Sequence, residues 1–113
     1  MRARLLPFAL MMALCSCSSR ADKQLEAVKS ARSVIAEWAL VEEQAAAGRA
    51  QSTYVGQMRE LAKDQLKTAE QELSQQPDAA SLIGSLRSHA PDAGALKRAA
   101  DALKPLENSL ETA

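Results

Sequence analysis

The chain has 113 residues, with 14 Lys and Arg set against 14 Asp and Glu and a hydrophobic content of 47%. That length supports one small domain, because separate cores need on the order of 50 residues each. Cancelling charge excludes the basic excess on which nucleic-acid binding depends. With Trp38 and Tyr54 the only aromatic residues beyond Phe8, there is also little from which to build a base-stacking platform or an aromatic cage.

The chain opens MRARLLPFALMMALCSC, in which Arg2 and Arg4 precede an uncharged apolar run from Leu5 to Leu14. As a helix that run rises about 15 Å, half of a hydrocarbon core of roughly 30 Å, so it suits a secretory signal and not a membrane span. Setting the leader aside removes Arg2 and Arg4 and leaves an excess of two acids. Both cysteines, Cys15 and Cys17, lie directly behind the apolar run. Removal of residues 1–16 therefore leaves a body with no possible disulfide, Cys-based metal site or Cys nucleophile.

The segment Ala13-Leu14-Cys15-Ser16-Cys17 resembles the lipobox of bacterial lipoprotein precursors, with Leu14 three positions before Cys17 and the small Ser16 just before it. Cys15 follows the bulky Leu14 and fits poorly as the acceptor. The resemblance implies a diacylglyceryl thioether on Cys17 and an acyl group, such as palmitate, on its amine. Two or three such chains anchor a protein stably, where one does not. Ser18 stands where an Asp would retain members of this class in the inner membrane. The implied location is the outer membrane facing the periplasm, or the outer face of the plasma membrane in a one-membrane cell. An ordinary signal peptide cut between Ser16 and Ala21 is the alternative. Residues 17–21 form the expected tether, in which Ser18 to Ala21 reach about 13 Å when extended and hold the domain close to the headgroups.

Residues 22–113 read as one all-α domain. Glycines are few and Ala, Leu, Glu, Gln, Lys and Arg dominate. The first helix is predicted at about 22–47. Ala27, Ala31, Val34, Trp38, Val41 and Ala45 repeat at four and three on its apolar face, widened by Leu25, Val28 and Ile35. Glu26, Ser30, Ser33, Glu37 and Gln44 keep the same rhythm on the polar face, where Leu40 is out of place. Gly48 is the expected stop, in a left-handed conformation.

A second helix follows at about 53–75, with Val55, Met58, Ala62, Leu66, Ala69 and Leu73 on one face, joined by Tyr54 and Leu61. The two form an antiparallel hairpin; the alternative is one uninterrupted helix through Gly48, which would need a partner to cover both stripes. Pro77 ends the second helix and Asp78 is the expected cap of a short third helix at 79–88, edged by Leu82, Ile83 and Leu86. Ala90-Pro91-Asp92 repeats the stop and cap. The last helix, at 93–111, carries Leu96, Ala99, Leu103, Leu106 and Leu110 in register on both sides of Pro105, which should kink it without breaking it. The fold expected is a small helical bundle with a thin, alanine-rich core, for which self-association would be a natural remedy.

Catalytic equipment is scarce. His89 is the only histidine, and with no Cys in the body it lacks the company a metal site needs. Glu42 and Glu43 are adjacent and point apart, while Glu60 and Asp64 sit among Lys63 and Lys67 in a charge mesh. No serine lies in a nucleophile elbow and no glycine loop cradles phosphate. No enzyme activity, metal or cofactor is expected beyond the covalent lipid on Cys17. Tyr54 and Trp38 are the candidate interaction residues, since large rigid side chains dominate interfaces; the place of Trp38 in mid-stripe also suits a core residue. The body resembles small helical proteobacterial lipoproteins of unknown function, in Glu37-Trp38 through Ala47-Gly48-Arg49 and Tyr54 through Met58-Arg59-Glu60. The function expected is that of a membrane-anchored, non-catalytic interaction or structural module of the cell envelope, whose partner is another envelope protein or a second copy. The alternative is a soluble periplasmic helical protein that binds a small ligand or lipid.

Overall fold

The computed structural model describes the backbone of residues 2–112 and the side chains of residues 20–112. These residues form four helices and no strand: α1 (Arg2–Ala46), α2 (Ser52–Glu72), α3 (Pro77–Ser88) and α4 (Ala93–Glu111). The all-α bundle built on a helix hairpin is thus the fold adopted. α1 is its spine. α2 returns antiparallel along it, with Arg59 on Glu42 near the turn and Gln76 beside Gln24 at the other end. α4 also runs antiparallel to α1, pairing Lys97 with Glu43 and Glu111 with Lys29. α3 packs on α2 and touches α4 only lightly. The molecule measures 63 × 29 × 20 Å.

Helix α1 begins at Arg2, not at Asp22. Nothing between Leu14 and Asp22 interrupts it, since that stretch holds no glycine or proline and Arg20 and Ala21 are strong helix formers. The expected extended tether at residues 17–21 is therefore helical, and Ser18 to Ala21 rise about 6 Å and not 13. Cys17 lies outside the residues whose side chains are described. Among the described residues no helix is long and apolar enough to cross a membrane.

The end of α1 shows how a single residue sets the hairpin. Gly48 has φ +70°, its N–H donates to the Ala45 carbonyl at 3.1 Å, and the Arg49 N–H donates to the Gln44 carbonyl at 2.9 Å. This is a Schellman motif, in which the left-handed residue turns two carbonyl groups back into bonds. It rules out one uninterrupted helix.

α2 starts at Ser52 after Gln51, which makes no side-chain cap, and stops at Glu72, three residues before the expected end. The early stop follows from Pro77, which occupies the first turn of α3 and keeps Gln76 out of helical geometry. Asp78 is consequently not the cap of α3 but lies in its first turn, where a negative charge suits the helix N-terminus. Asp92 does cap α4, accepting from the Ala95 N–H at 2.8 Å. α4 continues through Pro105. The Asp101 carbonyl that loses its partner there is on an exposed residue, where water can serve it.

The core lies between the hairpin and α3 and α4. Val28, Ile35, Leu66, Leu73, Ile83 and Leu96 are fully buried, and Ala31, Ala62, Ala69 and Ala99 let the helix axes approach closely. Ala39, which the spacing leaves off the stripe, is also buried, because α4 covers that flank of α1.

Candidate functional site

The two long sides of the hairpin differ. α3 and α4 cover one of them, whereas on the other α1 and α2 lie open side by side. The open strip of α1 consists of Glu26, Ser30, Ser33, Glu37, Leu40 and Gln44, and that of α2 of Tyr54, Met58, Leu61, Gln65, Thr68 and Glu72. Both rows advance by four and three, which keeps a row on one helix flank. Running antiparallel, they set Gln44 beside Tyr54 at the turn and Glu26 beside Glu72 at the opposite end.

The large apolar residues of this face lie in the half nearest the turn, alongside Glu37 and Gln44. Leu40 is 57% exposed, Leu61 47% and Tyr54 46%, and they are the exposed large hydrophobic residues among those described. Met58 is half-buried between Tyr54 and Leu61. In the other half a groove of about 430 Å³ runs between the helices, with Ala27 and Ala69 in its floor, Ser30, Gln65 and Thr68 on its walls, and Asp22, Lys23, Glu26 and Glu72 at its rim.

Tyr54 thus belongs to an exposed patch. Trp38 does not: it is 3% exposed and fills the core, so it offers no surface for a partner. Its indole N–H donates to Glu42 Oε2 at 2.8 Å, and Arg59 grips the same carboxylate with two bonds of 2.7 Å. The Arg59 hydrogen bonds hold the Glu42 carboxyl below its ordinary pKa against the opposing effect of burial, and the Trp38 bond adds to the lowering. Arg59 is correspondingly raised, chiefly by its bond to Glu42. This cluster ties α1 to α2.

Comparable ties join the other seams. Arg32 on α1 donates to the Ala100 carbonyl at 3.1 Å and to Glu107 at 2.9 Å on α4, and Arg87 on α3 meets Glu70 on α2 at 2.5 Å. Ion pairs also join Lys97 to Glu43, Lys29 to Glu111 and Lys63 to Glu60. None of the ion pairs among the described residues includes Glu26, Glu37 or Glu72, the acids of the open face.

His89 is exposed at the end of α3, where its Nδ1–H donates to the Ser85 carbonyl at 2.8 Å. It terminates a helix. Among the described residues no group of three or more His, Cys, Asp and Glu side chains could hold a metal ion. A second groove, of about 460 Å³, lies where α3 and α4 barely meet and is lined by Leu82, Leu103, Pro105 and Leu106.

Sequence reasoning places Tyr54 in the site and groups Leu61 with the core; the structure leaves both exposed, and Leu40 with them. The signal was legible, since Leu40 supplies the missing beat in the row Glu26, Ser30, Ser33, Glu37, Gln44. Read alone, that row is simply a solvated face. No protein family, curated protein or solved structure matches the chain.

Proposed function

We propose that the protein is a lipid-anchored, non-catalytic interaction module of the bacterial cell envelope that presents the open face of its helix hairpin to a protein partner. The observation that carries this reading is the exposure of Leu40, Tyr54 and Leu61 on rows that helical spacing places on one uncovered side of the hairpin. Exposed aromatic and aliphatic side chains gathered at helical spacing are the usual anchors of helix-in-groove recognition, whereas a scattered exposed leucine means little.

The lipobox-like segment supports the anchor, with Cys17 as the acylated residue and the outer membrane facing the periplasm as the location. With the lipid at residue 17 and α1 helical from there on, the turn end of the hairpin stands about 45 Å farther along the helix axis than the acyl chains. The apolar patch then lies in the half of the hairpin away from the lipid, which suits a protein partner better than the bilayer. Covalent lipid is the only non-protein group this role requires.

Radiolabelled palmitate fed to cells tests the anchor. Label should appear in the protein and vanish in Cys17→Ala; absence of label, or label that survives the substitution, defeats it. A photocrosslinking residue at position 61 tests the face in the same cells: it should give a discrete adduct that the same residue at position 101, on exposed α4, does not. Identical adducts at both positions would remove the face from consideration.

The groove between α3 and α4 favours a second reading, a soluble binder of a small apolar ligand or lipid. In that case the protein fractionates without membranes, carries extractable lipid or metabolite, and loses it in Leu82→Glu.

A further inference from the structure

The anchor and the bundle share one helix, so the place of the lipid fixes which part of the domain meets the membrane. Position 17 lies 18 residues before Ile35, five whole turns of an α-helix, and Ile35 is fully buried toward the rest of the bundle. A lipid at position 17 therefore leaves α1 on the side that faces the bundle, opposite the open strip. The other helices end at different heights above it. α4 ends near Lys29, the partner of Glu111, about 18 Å along the axis from position 17. The α2–α3 connection comes lower, because Gln76 pairs with Gln24 at 3.5 Å and so stands about 10 Å from position 17 along the axis. The headgroup layer of a bilayer is roughly 6 Å deep, which leaves this connection and the first turns of α1 within side-chain reach of it.

A polar hollow of about 430 Å³ opens at this base. Arg20, Lys23 and Gln24 of α1 line it on one side, and Gln71, Glu72 and Gln75 on the other. Arg20 and Lys23 belong to none of the ion pairs among the described residues. The hollow thus combines two cations, one carboxylate and several amides. A phosphate suits Arg20 and Lys23, an ammonium suits Glu72, and the glutamine amides can bond to either. Asp22, Glu26 and Asp78 are exposed at the same end, so the base as a whole has no positive excess with which to hold an anionic lipid.

Building on the lipid-anchor reading, we infer that the base of the bundle rests on the bilayer and that its hollow takes the headgroups of zwitterionic phospholipids such as phosphatidylethanolamine. An anionic headgroup brings a phosphate without an ammonium and leaves Glu72 and its acidic neighbours uncompensated. Seated on its base, the domain stands upright with the hairpin turn outermost and does not lie flat on the membrane.

The test uses the mature protein purified from cells and returned to vesicles of phosphatidylcholine and phosphatidylethanolamine that contain a trace of headgroup-nitroxide lipid. Gln75→Cys at the base and Arg49→Cys at the turn each carry one thiol-linked fluorophore, since Cys15 leaves with the leader and lipid occupies Cys17. Flotation with the vesicles reports the anchor, and nitroxide quenching reports the base. Position 75 should be quenched at least about threefold more than position 49. Arg20→Gln combined with Lys23→Gln should lower quenching at position 75 by about half, with flotation and helix content unchanged. Replacing part of the phosphatidylethanolamine by phosphatidylglycerol should lower it too. Protein that floats but is quenched alike at positions 75 and 49 overturns the proposal and leaves the anchor standing. Quenching at position 75 that survives the double substitution removes the hollow, and quenching that grows with phosphatidylglycerol gives the base to anionic lipid; either result overturns the proposal. Protein that fails to float defeats the anchor and the proposal together.

Discussion

Glu42 accepts three hydrogen bonds, one from Trp38 on its own helix and two from Arg59 across the hairpin. The indole N–H of a buried tryptophan needs a partner, and Glu42, one turn on, supplies it. Because the Arg59 bonds lower the carboxyl pKa in the folded state, the cluster stabilises the protein at pH values above the unfolded pKa of about 4.3 and ceases to do so as pH falls through the folded value. Glu42→Gln should cost about 1 kcal/mol at pH 7, and the difference from the parent should shrink at pH 3. Urea unfolding followed by Trp38 emission at the two pH values measures it; equal losses at both would mean that the Glu42 charge contributes nothing. Half of this cluster is legible in the sequence, as the spacing of Trp38 and Glu42. Arg59 is not, because seventeen residues and a turn separate it from its acceptor.

At the scale of elements, two glycines near the turn behave oppositely. Gly48 requires φ +70°, whereas Gly56 lies inside α2 with open space where a Cβ would project. Gly48→Ala should therefore destabilise by about 1 kcal/mol through left-handed strain, although nothing crowds the new methyl. Gly56→Ala should stabilise by about 0.8 kcal/mol through helix propensity. Chemical denaturation of the two variants checks both signs, and a shared sign would show that the turn is not held by Gly48. The sequence announces the turn at Gly48 and the cap at Asp92, since each is a local preference satisfied within one helical turn. It misplaces the ends of α2 and α3 because Gln51 precedes α2 without capping it and Pro77 enters α3 directly.

Over the whole molecule, attachment is uneven. α1 is covered on two flanks by α2 and α4, while α3, the shortest helix, rests mainly on α2. Gly84 lets α3 approach Glu70 closely, a Cβ there falling 3.2 Å from the carboxylate, and Arg87 closes the contact. With a groove in place of a packed seam toward α4, α3 should open on its own. Native-state hydrogen exchange should give its amides a lower opening free energy than the buried middle of α1 and α2, by about 1 kcal/mol or more. Exchange of α3 only through global unfolding would show the bundle to be one cooperative unit.

Composition and periodicity alone determined the helical class and the apolar stripes, and local preference marked the stop at Gly48 and the cap at Asp92, because each depends on neighbours within a turn or two along the chain. The tertiary structure decided which flank of each stripe is covered. The stripe of α2 is wider than any single contact, so Tyr54 and Leu61 on one edge could equally have been core; α3 and α4 both lie on the other side, and these two residues remain in solvent with Leu40. Trp38 falls on the covered side and becomes core. The open face arises from the placement of two distant helices, which no local pattern encodes.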